Sequence, residues 1–402
     1  MSAPALPTNR DENWRYANLR PLAKARIDAV AAPETTGSRI ELPAVLPGFE
    51  RWVFVDGRFD AANSTRAPDS CAELLSFGAA GETLAAMLDT EIETAGVDFA
   101  LARLNGARGD QVLVITPGDG AETRIELNFV STTSAAAGTS YPRVQVHCGR
   151  GSHLHLVERH LGSGAADAAI NAAFDVALRA DAQLDHCRLQ NCADAASCFD
   201  TLVAHVGERA TYRLRTVTLG GLSSRSTIFV KLAGREARCE LLAAAIANGT
   251  QTHDFFAEIE HAAPNSVTRE LFRGIANERG KLGFNGKMIV RENALDADSD
   301  QSLKTLLTGS GAEAAARPQL EIYTDRVRAK HGATTGKLDE QMLFYLLSRG
   351  LDRAQAQALL QWAFIEDAVS QVQLAPLRQE IEQLIAVQLS EVSALDGLVS
   401  RS

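Results

Sequence analysis

The stretch Leu320–Gly350, LEIYTDRVRAKHGATTGKLDEQMLFYLLSRG, is where one kind of structure hands over to another. Leu320 to Val327 alternates apolar and polar side chains, the two-residue period of a half-buried strand. Gly332 and Gly336 predict a turn, because a residue without Cβ tolerates crowded backbone cheaply. From Leu338 the period becomes helical. Leu343, Leu346 and Leu347 fall on one side, and Gly350 marks the stop. A sheet-rich body therefore passes into a helical tail, with His331 at the junction.

Upstream, from about Phe99 to Arg328, short alternating segments recur, among them Gln111–Ile115, Thr123–Val130, Arg143–His147, His153–Val157, Phe174–Leu184 and Lys287–Arg291. Turn residues separate them, such as Gly118–Asp119–Gly120, Gly220–Gly221, Asn248–Gly249 and Pro264–Asn265. Many short strands at this spacing predict an all-β body; βαβ units would need helices between the strands. The units recur at about 20 residues between Gly162 and Asn285, which admits a solenoid, while a β-sandwich or jelly roll fits the same pattern.

Downstream, Asp352 and Gln355 predict a capping box opening a helix. Ala356, Leu359, Leu360, Ala363 and Phe364 follow at helical spacing. Pro376 interrupts, and Leu377, Ile381, Leu384, Ile385 and Leu389 form a second amphipathic stripe. With the helix from Leu338, three tail helices are expected, packed mainly on one another. At the other end, Asp11–Ile27 and Leu74–Ala95 read as helical around a loop-rich insert at Pro33–Pro47 and a short strand at Arg51–Val55. The expected division is an N-terminal helical domain over 1–98, a β core over 99–330 and a C-terminal helical domain over 331–402.

The 402 residues are 46% hydrophobic and 22% charged, the balance of an ordinary globular protein. A net charge of −10 argues against nucleic-acid binding, which needs a basic surface. Six cysteines in this length make no disulfide framework. No secretion signal or membrane span is read from the sequence, so a cytoplasmic protein is expected. A phosphate-binding loop, a G-x-S-x-G elbow and an H-E-x-x-H helix are all missing from the sequence.

The remaining chemical candidates are few. Cys187, Cys192 and Cys198 lie close together with His186, but their spacing is wider than a chelating C-x-x-C, and core packing is the plainer reading. His153 and His155 share one face of a strand; a surface metal site is one reading, and a solvated polar face is the plainer one. Arg179, Asp181, Gln183 and Asp185 form a similar row, and Asp181 with Asp185 would be the carboxylate pair of a β-helix carbohydrate-active enzyme.

The segments DENWRYANLRPL, FNGKMIV and HGATTGKLDEQMLFYLLSRG together resemble the SufB/SufD family of the Suf iron–sulfur cluster assembly machinery, the last being the longest and most specific. Gly332, where SufB proteins carry a glutamate after the histidine, places the resemblance on the SufD side. The resemblance implies a right-handed parallel β-helix between helical ends and a non-catalytic scaffold. It also implies pairing with SufB through the β-helix and docking of the ABC-type ATPase SufC on the C-terminal helices. His331 then belongs to the cluster-assembly interface and is a candidate iron ligand, imidazole being a competent one. Ala329 stands where some relatives have cysteine, so any thiolate would come from SufB. Arg349 and Phe364 are the SufC-docking candidates. No cofactor held stably by this chain alone is expected, only a transient iron–sulfur cluster at the SufB interface; flavin binding stays open. A SufB-like scaffold holding a cluster by itself is the other reading within the family.

Overall fold

The computed structural model describes residues 6–15, 17–20, 22, 40–76, 96–132, 138–162 and 168–389. Its body is a parallel β-helix of two stacked sheets. One, here sheet I, runs from Arg58–Phe59 through ten strands to Val327–Gly336 at its far end. Sheet II runs from Ala72–Ser76 to Glu313–Ile322. From His153 onward successive strands of a sheet are two apart in the chain and parallel, so the chain winds from one sheet to the other and back; Arg58–Phe59 and Ala72–Ser76 at the N-terminal end pair antiparallel. Thr252 pairs with Ser223, a full coil of 29 residues, so the unit of about 20 read from the sequence is corrected. Each coil carries one strand in each sheet, so a strand with its turn takes about half of that length.

One corner of every coil is built the same way. Gly120, Gly151, Asp181, Arg209, Glu236, Asn265 and Asp296 all have positive φ. Each donates its backbone N–H to the carbonyl just before the next corner: Asp181 to Glu208, Arg209 to Arg235, Glu236 to Pro264, Asn265 to Leu295. The corner at Asp181 divides the expected Phe174–Leu184 strand into Ala169–Leu178 and Gln183–Asn191. Left-handed backbone costs an L-residue roughly 1 kcal/mol, least for Gly, Asn and Asp. Glu236→Gly is therefore expected to stabilise the fold by about 0.5–1 kcal/mol, read as a higher urea midpoint. A fall in the midpoint would mean that the Glu236 side chain contributes more than its backbone costs.

The interior is filled by inward-facing Leu, Ile, Val, Phe and Ala from both sheets, including Leu154, Leu156, Phe174, Leu184, Leu202 and Phe255. Polar groups also enter it, one of them centred on Arg188. The Arg188 guanidinium reaches Glu158 (2.9 and 3.2 Å) on its own sheet and Asp200 (2.9 Å) on the opposite one. His186 lies 3.0 Å from Glu158 and 3.1 Å from the Tyr212 hydroxyl, His160 also bonds Glu158, and Ser226 donates to Asp200. Burial opposes ionisation of Glu158, but Arg188, His160 and His186 outweigh it and hold its carboxyl well below the usual range.

Four α-helices are described, α1 (Ala100–Arg108), α2 (Glu340–Ser348), α3 (Arg353–Val369) and α4 (Ala375–Gln388). Helix α1 lies inside the span expected to be β throughout; its buried Asn105 donates to the carbonyls of Pro142 and Asn171 and so fixes it to sheet II. The Asp352–Gln355 capping box opens α3 as expected. The tail helices do not mainly pack on one another. Ile365, Val369, Leu377, Ile381 and Ile385 cover Val157, Leu189, Val217, Leu242 and Ile275 on the outer face of sheet I. Arg159 pairs with Glu380 (2.8 Å) and Arg273 with Asp367 (2.6 Å) across this junction. The outer face of these strands is apolar, so helix and sheet bury each other's exposed stripe.

At the N-terminal end, Glu12–Trp14 is a short 3-10 turn, and Trp14 is buried with its Nε1 donating to Asp98 (2.8 Å). The expected strand exists as Glu50–Val55 and pairs in parallel with Glu122–Ser131, making it part of the β-helix. Residues 23–39 and 77–95 lie outside the described residues; of the helix expected over Leu74–Ala95, Leu74–Ser76 instead belong to the strand Ala72–Ser76, paired with Gln111–Ile115.

Candidate functional site

The turn expected at Gly332–Gly336 is instead the second half of a strand, Val327–Gly336, and neither glycine takes a positive φ. The chain bends earlier, between Ile322 and Val327, and the strand runs six residues past the expected core end at 330. His331 therefore sits mid-strand on the last coil, in register with Gln301, which is in register with Glu270. Alternate residues share a face, so these three form an inner-face column ending at the open end of the helix. Ala329 and Ala333 flank His331 on that face, and His331 is exposed because no further coil covers it among the described residues.

Glu270 and Gln301 are buried, and Gln301 Nε2 donates to Glu270 Oε2. Gln301 Oε1 is buried without a hydrogen-bond partner. Burial pushes the Glu270 carboxyl up to about 7 from its ordinary 4.5. The sequence missed this column because its members lie about 30 residues apart and meet only through register. Between pH 4.5 and 7 the folded chain holds a proton on Glu270 that the unfolded chain has lost, so this group's contribution to stability falls as pH rises through that window. Glu270→Gln should accordingly raise stability on the order of 3 kcal/mol at pH 8 and hardly change it at pH 4. Parallel denaturation curves at the two pH values check this, and equal effects at both would exclude a protonated Glu270.

The other candidates are placed as follows. Arg349 caps the end of α2 with its guanidinium 5.1 Å from the Tyr345 ring centre, and Phe364 on α3 is half-buried against sheet I. Neither heads an exposed patch. On α2 the exposed apolar side chains are Met342, Phe344 and Tyr345, at 56, 73 and 54% exposure; Tyr323 and Val387 are exposed elsewhere. Cys192 and Cys198 are buried core residues, and burial pushes the Cys187 thiol up to about 11. Asp181 is exposed and committed to Arg209 (2.7 and 2.8 Å), whereas Asp185 lies on the following strand, 2.7 Å from His153. Each carboxylate is thus engaged separately, and the corner at Asp181 breaks the row that would have paired them.

His153 and His155 are half-buried rather than fully solvated, with ring centres 4.1 Å apart. Burial and the neighbouring His153 lower the His155 pKa. For Asp185, burial is outweighed by the His153 hydrogen bond and by Arg213 and Arg215, leaving its carboxyl below the ordinary range.

Taken together, the chain is a parallel β-helix flanked by a helical C-terminal region and open at the end that carries one exposed histidine. It belongs to the SufBD core family: the model described as "SUF system FeS cluster assembly, SufBD core domain" matches residues 129–364. It is 26% identical over 388 residues to the iron–sulfur cluster assembly protein SufD of Escherichia coli, covering 94% of this chain and 88% of that one. An iron–sulfur cluster assembly SufBD family protein of Synechocystis is 27% identical over 95% of this chain and 87% of its own length. The chloroplastic protein ABCI7 of Arabidopsis thaliana is 24% identical over 93% of this chain and 81% of its own. The chain is thus a SufD homologue within an iron–sulfur cluster assembly family.

Proposed function

We propose that this chain is a non-catalytic, cytoplasmic scaffold subunit of the Suf machinery. It pairs with SufB through the open end of the β-helix, docks the SufC ATPase through its C-terminal helical domain, and presents His331 at the cluster-assembly interface. The observation that carries this reading is the uncovered last coil. Val327–Gly336 and Glu313–Ile322 are the terminal strands of their sheets, and almost every residue in them is exposed or half-buried. A solenoid end with free strand edges invites edge-to-edge pairing unless something blunts or caps it. A second β-helix fits both edges at once.

His331 would lie inside such a junction. The unpartnered carbonyl of Gln301, one strand below, is a suitable acceptor for one imidazole N–H, leaving the other nitrogen for iron. With Ala329 two residues away, sulfur ligation would come from the partner.

Co-expression with SufB and SufC from the same genome, with one tag on this chain followed by sizing, tests the reading. A stable complex of all three is expected, and failure to recruit either partner would overturn it. For SufC, the exposed Met342, Phe344 and Tyr345 make a better docking patch than Arg349 or Phe364. Phe344→Asp is expected to remove SufC while SufB is retained and the melting temperature is unchanged. Co-purification of SufC in the usual amount would move its site off α2.

A further inference from the structure

His153 and His155 are neighbours on the outer face of one strand, and Asp185 stands in register with His155 on the next. His153 Nε2 is 2.7 Å from Asp185 Oδ2 and His155 Nδ1 is 3.7 Å from the same oxygen. The three ligand atoms all lie within 4.8 Å of one another. A transition ion with bonds of about 2.0–2.2 Å holds its ligands roughly 3.0–3.5 Å apart, so small rotations of the two imidazoles would close this triangle. The backbone is already set, because all three positions belong to adjacent strands of a continuous sheet.

The surroundings divide the carboxylate in two. Arg213 (3.3 Å) and Arg215 (3.8 Å) take Asp185 Oδ1, leaving Oδ2 toward the histidines. Guanidinium contacts to the far oxygen orient a ligating carboxylate as outer-shell partners do. Two imidazoles and one carboxylate suit iron(II) or zinc, whereas magnesium and calcium prefer oxygen alone. Three protein ligands leave coordination positions open. Beside them is a cavity of about 210 Å³ lined by His155, Asp185, Arg124, Cys187, Arg215 and Leu374.

We propose that His153, His155 and Asp185 form a binding site for a divalent first-row transition ion, Fe2+ or Zn2+, with its open positions beside this cavity. The site is separate from His331, which lies five strands beyond that of Asp185 and six beyond that of the two histidines, roughly 24 Å or more at the usual strand spacing. It therefore stands independently of the scaffold reading above.

The test uses the full chain, stripped with chelator and titrated calorimetrically with Zn2+ in air and Fe2+ under anaerobic conditions. One equivalent of at least one ion is expected to bind. Affinity should fall at least tenfold in the His153→Ala/His155→Ala double variant and in Asp185→Asn, and stay within twofold in Asp181→Asn, whose carboxylate is exposed, bonded to Arg209 and outside the cluster. Because truncating half-buried side chains risks a folding defect, His153→Gln/His155→Gln is measured alongside, with thermal melting of every variant. The proposal is overturned if the parent binds neither ion, if either folded double variant binds within twofold of the parent, or if X-ray absorption of the loaded protein shows sulfur-dominated ligation.

Discussion

Arg188→Met is expected to destabilise the fold by about 3–5 kcal/mol, the cost of leaving buried carboxylates without their cation. That is a large share of the roughly 5–15 kcal/mol that holds a typical domain together. Glu158 is fully buried and Asp200 nearly so, and Arg188 is the cation that links them across the two sheets. His160 and His186 still bond Glu158 in the variant, but among the described residues Asp200 keeps the Ser226 hydroxyl in place of a cation. Adding Glu158→Gln and Asp200→Asn should recover much of the loss, because a neutral set no longer buries uncompensated charge. Urea denaturation of the parent, single and triple variants checks this. A single variant within 1 kcal/mol of the parent would mean that water or the two histidines already stabilise the carboxylates.

His331→Ala is expected to leave stability and partner binding unchanged while abolishing cluster assembly in cells that depend on this machinery. The side chain is exposed, so truncating it removes no buried contact. Growth complementation and the activity of an iron–sulfur enzyme, with the intact complex recovered from the same cells, give the measurement. Normal complementation would remove His331 from the assembly site. Gln301→Leu should give a partial defect if its carbonyl orients the imidazole, since tautomer control is lost while the ligand remains.

Much of this architecture was legible from the chain. The two-residue alternation of the body, the Asp352–Gln355 capping box, the stop at Gly350 and the wording of the His331 segment all report local backbone choices, and local choices are what sequence periodicity records. The resemblance then selected the β-helix over a sandwich, which periodicity had left open. Glycines at 332 and 336 read as a turn because an isolated edge strand and a loop share the same polar, small-residue composition.

What remained hidden depended on distance along the chain. The left-handed corners at Arg209 and Glu236 carry no glycine and are held by hydrogen bonds from the neighbouring coil. The tail helices have apolar stripes that the sequence shows, but only the folded chain decides that their cover is sheet I. The Glu158–Arg188–Asp200 group, the Glu270–Gln301–His331 column and the His153–His155–Asp185 cluster each draw residues from different strands. The sequence by itself determined a strand-rich body, a helical tail and the family. Which side chains meet was decided only by the winding, because a parallel coil of some 29 residues brings together positions that no local pattern connects.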